Sequence, residues 1–507
     1  MSFPDEDPKA AVAVAAEAEA PLIGVREGIE YLAHQVAGVR WMLEREHEAA
    51  RICRGGILGD DMGLGKTFQT IGLLKNSPYK YRTLIVCPPA LIAGWTEELR
   101  ACGYNVATIQ GSSAWAVADE VDGAETIYLT TYPKACMYKF AIARAAEPFE
   151  RIILDEGHVI RNGKSTSRWM ACMAINKRSK CNWILSATPV QNGADDWRNL
   201  CWWLRVRCPS GDIPALAPVV MLRRTMDELR ADIAALPPLP RYIAHDLSIA
   251  AGTKEGKLFR TLCDSLNSVM DSRAVSALIK LELYMRIQQF LVHPQLYIES
   301  MRAKFRGAYP RADWSADAGA TKWTAVMKEL AASVADRVGT IVFCNFRREM
   351  DMVETAAAAM GAKVFSVRGG MGSDRVGEAV ADARAAVAEG EAVVFVVQIV
   401  SGGAGLNLQF CRRILFLSQH WNPAVVHQAV GRAVRIGQSA VVDIHLFRVV
   451  DDVMDNLDRR MVQIHLRKIA GAREICETLY EGFAPLKEES FPSAEAEGPE
   501  AEDPTSF

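Results

Sequence analysis

Gly63-Leu64-Gly65-Lys66-Thr67 is a glycine-rich turn that ends in a lysine and a hydroxyl. The strand-like run Gly56 to Leu58 precedes it, and the spacing predicts a helix from Lys66 to Leu74. A glycine-rich turn at a helix N-terminus aims backbone N–H groups at phosphate oxygens, and the helix dipole favours the anion. Lys66 would then reach the β- and γ-phosphates, and the Thr67 hydroxyl would ligate Mg²⁺. The strict form of such a loop has glycine at position 60, where Asp60 stands. Taken alone, the stretch also fits an ordinary strand-to-helix turn.

Two further groups suit the same chemistry. Asp155-Glu156-Gly157-His158 follows the apolar run Arg151 to Leu154, which puts the acids at the C-terminal end of a buried strand. Ligands of α/β sheets sit there. Asp155 is suited to hold Mg²⁺, and Glu156 to orient or deprotonate an attacking water. Far downstream, Gln428, Arg432 and Arg435 stand four and three residues apart. That spacing predicts one face of one helix, where an arginine could stabilise charge on a transferring phosphoryl group. A lysine, an acidic pair and an arginine pair over two halves of a chain describe a nucleotide clamped between two lobes.

The elements that must position these residues are legible as alternating strands and helices. Thr83–Cys87, Ile127–Thr130, Arg151–Leu154 and Asn182–Ser186 read as buried strands. Thr340–Cys344, Lys363–Val367, Ala392–Val397, Arg413–Leu417 and Val442–Leu446 read the same way in the second half. Short apolar strands between helices predict parallel sheets covered on both faces, an α/β fold. Between the halves, from about Ser248 to Pro294, the pattern is helical. The expected division is 1–22 a disordered tail, 23–240 lobe one, 241–312 a helical insertion and linker, 313–486 lobe two, and 487–507 an acidic disordered tail.

Composition narrows the class. The chain has 507 residues, enough for two or three domains, and half of them are hydrophobic, a globular balance. No run of 18 apolar residues suggests a membrane span, and the N-terminus lacks the features of a signal peptide. The 12 cysteines include no Cys-x-x-Cys, which argues against zinc-finger and RING-type modules. A net charge of −3 leaves any nucleic-acid contact to local basic surface.

Together the motifs resemble the Swi/Snf family of superfamily-two DNA translocases. Leu32 to Trp41 is similar to the family's adenine-side motif and nominates Gln35. Asp60, Asp61, Met62, Gly63, Leu64, Gly65, Lys66 and Thr67 resemble its first motif, in which Asp is usual at the leading position; Asp61 replaces the more typical Glu. Val86 to Pro89 with Trp95 and Glu98 resembles motif Ia, and Leu129 to Tyr132 the next segment. Asp155 to Asn162 is similar to the DEAH-like box, Ser186 to Asn192 to motif III, and Met221 to Thr225 to a hallmark closing lobe one. Ile341 to Phe346, Ser401 to Leu408 and Gln428 to Gln438 resemble motifs IV, V and VI, and His293-Pro294 matches a helical element before lobe two. Ser418 to Trp421 departs from the family's acidic-Trp phrase.

The resemblance implies two RecA-like lobes with a helical insertion between them, and ATP and Mg²⁺ as cofactors. It implies ATP hydrolysis coupled to tracking along double-stranded DNA, generally without strand separation, by a monomeric motor. Nucleosomes or other DNA-bound proteins are implied targets, no membrane is involved, and a nucleus or a viral factory is the expected site. His158, Gln191 and Gly405 would couple hydrolysis to movement. Pro88, Pro89, Thr131, Tyr132, Ser401 and Gly402 are nominated for DNA contact, with Arg223 and Arg347 beside them; Trp421 reads as a packing aromatic. A strand-separating helicase and a non-catalytic nucleic-acid scaffold are the competing readings.

Overall fold

The apolar runs become two fully parallel sheets. The computed structural model describes residues 21–47, 53–109, 126–143, 147–208, 213–234, 236–270, 275–306, 314, 320–400, 406–450 and 457–475. By contact these fall into two compact units, one running to Ala234 and including Glu474 and Ile475, the other running on to Arg473. In the first, β1 (Gly55–Leu58), β2 (Thr83–Cys87), β3 (Asn105–Thr108), β4 (Thr126–Thr131), β5 (Arg151–Asp155), β6 (Cys181–Leu185) and β7 (Met221–Leu222) lie in the order β3-β4-β2-β5-β6-β1-β7. Every pairing is parallel. The inner strands β1, β2, β5 and β6 are buried at every position, as expected for a sheet with helices on both faces.

The second unit has β8 (Arg241–Leu247), β9 (Thr340–Cys344), β10 (Lys363–Val367), β11 (Val393–Gln398), β12 (Arg413–Phe416) and β13 (Asp443–Val449). Their order is β10-β11-β9-β12-β13-β8, again all parallel. The architecture is α/β, with two RecA-like lobes and a helical insertion. One boundary moves: residues 241–247, expected in the insertion, form the edge strand β8. An edge strand is covered less completely than an inner one, so its residues are half-buried or exposed rather than forming a buried apolar run.

The insertion itself is helical, as Lys254–Met270, Ala277–Val292 and Pro294–Lys304. Its helices bury Phe259, Leu266, Ile287, Phe290 and Tyr297 in one cluster with Val449 of β13 and Leu457. The insertion therefore packs as part of the second unit. His293 accepts the Gln295 N–H at 3.1 Å and Pro294 opens the next helix, so the His-Pro pair is an N-terminal cap. The expected linker near 307–320 lies almost wholly outside the described residues, as do residues 1–20 and the acidic tail at 487–507.

A buried ion pair ties the first unit's key elements together. Glu46, at the end of helix Ala33–Glu46, accepts from Arg151 Nε of β5 at 2.6 Å and from Trp183 Nε1 of β6 at 3.0 Å. Ser77 Oγ also donates to Glu46, at 3.0 Å, and Arg151 donates to Thr83 at 3.2 Å. A charge this deeply buried is tolerable because its hydrogen-bonding capacity is so fully used. The network sets helix Ala33–Glu46 against the strand that ends in Asp155.

Candidate active site

β1 leads into the glycine-rich turn, and helix Lys66–Asn76 leaves it. Gly65 takes the left-handed conformation at φ +80°, and a Cβ there would stand 2.6 Å from Gln35 Nε2. Only glycine fits that turn without strain. No side chain caps the N-terminus of helix Lys66–Asn76, so its first N–H groups face the turn. Lys66 Nζ donates to the Asp60 and Asp61 carbonyls at 2.7 and 3.2 Å. Burial lowers the Lys66 pKa below its ordinary value, although the charges of Glu156, Asp60, Asp61 and Asp155 work the other way.

The same end of the sheet carries the acidic pair. Asp155 closes β5 and is buried; its carboxylate accepts from Trp95 Nε1 at 2.8 Å and from the Glu156 N–H at 3.0 Å. Burial, reinforced by the Glu156 charge, pushes its pKa up to about 6. Glu156 has φ +51°, unusual for a residue with a side chain. Its Oε2 lies 3.3 Å from His158 Nδ1, and that nitrogen lies 3.1 Å from Ser186 Oγ. A polar chain thus runs from the acidic pair to the Ser-Ala-Thr-Pro segment. Gln191 is buried further along it, with its N–H on Asp196 at 2.8 Å.

Arg223 and Arg224 change the reading of the turn. Arg223, nominated for DNA contact, is buried instead; it pairs with Asp61 at 2.7 Å and donates to the Gly59 and Ala187 carbonyls at 2.6 and 2.9 Å. Arg224 Nε donates to Asp60 at 3.0 Å, and its guanidinium also reaches Gln69 and the His34 carbonyl. The backbone adds Gly59 N to Leu222 O at 2.7 Å and Asp61 N to Arg224 O at 2.9 Å. Asp60, assigned to the nucleotide on sequence, is fully buried and spends its carboxylate on Arg224 and Gln69. The Met221–Thr225 segment is therefore a latch on the phosphate-loop turn.

Helix Ala33–Glu46 supplies a second support. His34 Nε2 lies 2.9 Å from the Leu64 carbonyl, and Gln35 Nε2 reaches the same oxygen at 3.4 Å. Sequence reasoning missed His34 because a lone histidine on a helix carries no chemical signature. The signal for the arginines was present, since two adjacent acids here meet two adjacent bases 162 to 164 residues away. Met62 and Leu64 are buried under the turn, while Thr67 is half-buried at its exit.

Other nominated residues part company. Tyr132 is buried and donates its hydroxyl to the Asp155 carbonyl at 2.8 Å, so it braces the acidic strand from within. Thr131 is half-buried and accepts the Lys134 N–H at 3.4 Å. Pro88 is half-buried and Pro89 exposed, at the C-terminal end of β2. Ser401, Gly402 and Gly405 lie outside the described residues.

In the second unit the expected helix stops early. It spans Pro423–Val430, with Gly431 as its cap, so Gln428 is helical while Arg432 and Arg435 sit in the turns that follow. The Arg432 carbonyl accepts from Leu408 N at 3.0 Å, which takes it out of a helical ladder. Arg432 is buried, and burial lowers the Arg435 pKa below its ordinary value. Arg347 edges an open hollow of about 490 Å³ together with Arg368 and Arg375, and donates to the Gly369 carbonyl at 2.9 Å. Trp421 packs under Lys468, whose Nζ stands 4.2 Å from the ring centre.

Comparison with known proteins points the same way. Residues 34–208 match the model of the SNF2-related domain, and residues 321–437 match that of the helicase conserved C-terminal domain. The probable global transactivator of Orgyia pseudotsugata multicapsid polyhedrosis virus is 26% identical over 461 residues, covering 85% of this chain and 88% of that protein. The human SWI/SNF-related matrix-associated actin-dependent regulator of chromatin subfamily A member 1 is 24% identical over 85% of this chain, but only 42% of its own length is matched. Zorya protein ZorD of Escherichia coli O139:H28 is 24% identical over 91% of this chain and 46% of that protein. A solved Sulfolobus solfataricus SWI2/SNF2 ATPase core in complex with dsDNA aligns over 93% of this chain and 98% of its own, with 19% identity and a TM-score of 0.38. With both domain models matched in order over more than half of its residues, the chain belongs to the SNF2-related (Swi/Snf) family of DNA-dependent ATPases.

Proposed function

We propose that this chain hydrolyses ATP to translocate along double-stranded DNA without net strand separation, and so remodels protein–DNA complexes. The observation that carries the reading is one lysine at an uncapped helix N-terminus with the acidic pair Glu156 and Asp155 within its electrostatic reach. That arrangement fits a triphosphate with its cation. Lys66 and the turn's N–H groups would bind the phosphates, with Gln35 on the base side, and the motif resemblance assigns Gln428 to the nucleotide as well. Thr67 and Asp155 would hold Mg²⁺, which supplies charge neutralisation when bound. Glu156 would take the proton of the attacking water, and Arg432 and Arg435 would offset charge on the transferring group.

The DNA assignment rests on the family and on the basic rim at Arg347 and Arg375. Contact with phosphates gives affinity without sequence choice, and it weakens with salt. His158, Ser186 and Gln191 are the coupling path from acidic pair to lobe movement. Nucleosomes as targets, and a nucleus or viral factory as the place of action, follow from the relatives' names and belong to the same proposal.

ATP turnover is expected to rise strongly with duplex DNA at fixed moderate salt, and much less with single-stranded DNA or RNA, with Lys66→Ala silent throughout. Stimulation mainly by single strands would move the protein to the helicase reading. No turnover with any nucleic acid would make it a scaffold.

The raised pKa of Asp155 gives a second expectation. Its carboxyl must be ionised to hold the cation, so Mg²⁺ binding should weaken as pH falls through about 6. An ordinary aspartate, at about 3.9, would hold the ion much further down. Trp95→Phe removes a hydrogen bond that favours the ionised form and should move this limb to higher pH. Titrating the Mg²⁺ requirement for ATP binding tests it; a requirement unchanged from about pH 7 to pH 5 would detach Asp155 from the metal.

A further inference from the structure

Within the second unit, three side chains of metal-ligating types converge. His245 comes from β8, His445 from β13, and Glu329 from helix Thr321–Ala335. In the parallel register His245 lies beside Phe447 and His445 beside Ile243, so the two imidazoles are diagonal neighbours on one face. Nε2 of His245 is 2.9 Å from Nδ1 of His445, and Glu329 Oε2 is 3.7 Å from that same Nδ1. One ligand atom from each residue falls within 4.8 Å of the other two. Phe447 stacks on His245 with ring centres 4.5 Å apart, which fixes that ring.

We propose that His245, Glu329 and His445 bind one divalent transition-metal ion of the Zn²⁺ class, which staples the edge strand β8 to β13 and to the helix across them. Two imidazoles and a carboxylate suit borderline ions such as Zn²⁺, whereas Mg²⁺ and Ca²⁺ prefer oxygen ligands throughout. Bonds of about 2.0–2.1 Å place two tetrahedral nitrogen ligands about 3.3 Å apart. The present 2.9 Å is a proton-sharing contact and needs to open by only a few tenths of an ångström.

Both rings are held in the neutral form that can bind a metal. Burial lowers the pKa of both rings, that of His445 to about 4, so both are neutral near pH 7 and can offer lone pairs. Two neutral rings and a carboxylate facing one another hold a single proton among them, and the remaining lone pairs repel. An ion satisfies all three. The N–H of the shared contact moves to the outer nitrogen of its own ring, with no net proton released. For His445 that nitrogen is Nε2, which is buried and has no hydrogen-bond partner among the described residues, a desolvation cost that the metal bond offsets. His245 and Glu329 are half-buried, which leaves a route for the ion and for a water ligand.

The test uses the full chain stripped with a chelator and titrated with Zn²⁺ or Co²⁺ in equilibrium dialysis. One equivalent should bind and raise Tm, and bound Co²⁺ should show no thiolate charge-transfer band, which excludes the 12 cysteines. His245→Gln and Glu329→Gln should each weaken binding by at least about tenfold, since even outer partners of a metal site are worth about 10–100-fold. Glu329→Gln, on a half-exposed helix position, keeps the test decisive if His245→Gln impairs folding. No bound ion, a thiolate band, or affinity unchanged in Glu329→Gln would overturn the proposal.

Discussion

Glu156→Gln should cut ATP turnover by about 10²–10⁴-fold, the range expected for loss of a general base, while ATP still binds. The geometry separates its role from that of Asp155. Both Asp155 oxygens are already engaged, by Trp95 Nε1 and by the Glu156 N–H, which fixes that carboxylate in place. Glu156 follows in a left-handed conformation that turns the chain sharply off the end of β5. Its contact with His158 leaves a carboxylate coupled to the Ser186 segment. Glutamine keeps the shape and removes the basicity, so folding should survive. Lys66→Ala should behave differently and lose nucleotide affinity as well, because it removes the charge that meets the phosphates. Single-turnover hydrolysis beside fluorescent-nucleotide binding distinguishes the two, and turnover in Glu156→Gln within about tenfold of wild type would remove Glu156 from the water-activating role.

Local signals carried much of this into the sequence. Inner strands such as Thr83–Cys87 and Arg151–Asp155 are buried throughout and built on apolar runs, because helices cover both faces of a parallel sheet. The turn at Gly63–Thr67 is legible because its chemistry is contiguous. What escaped depends on distance along the chain or on partial cover. β8 is only partly covered because it is an edge, and the His34 ring acts through the Leu64 carbonyl 30 residues away. Tyr132 looks like a surface aromatic until Asp155 is seen beneath it. The helix through Gln428 was extended too far because spacing alone cannot show that Leu408 claims the Arg432 carbonyl.

The arginine latch carries the other large effect. Asp60 is fully buried, so Arg224→Ala leaves a buried carboxylate with Gln69 as its remaining side-chain hydrogen-bond partner among the described residues. Breaking one side of a buried pair costs about 3–5 kcal/mol. The loss should fall on the first lobe's unfolding transition, and hydrogen exchange should quicken at the Gly59 and Asp61 amides, which bond to Leu222 and Arg224. ATP affinity should fall as well, since Lys66 rests on the Asp60 and Asp61 carbonyls that the latch holds. Asp60→Asn removes the charge that Arg224 neutralises, so adding it to Arg224→Ala should recover stability, with a coupling of about 1–3 kcal/mol in a double-mutant cycle. Costs that add to within about 0.5 kcal/mol would deny the pairing. If Asp60→Asn instead weakens ATP binding equally with and without Arg224, Asp60 meets the nucleotide directly, as its motif alone suggests.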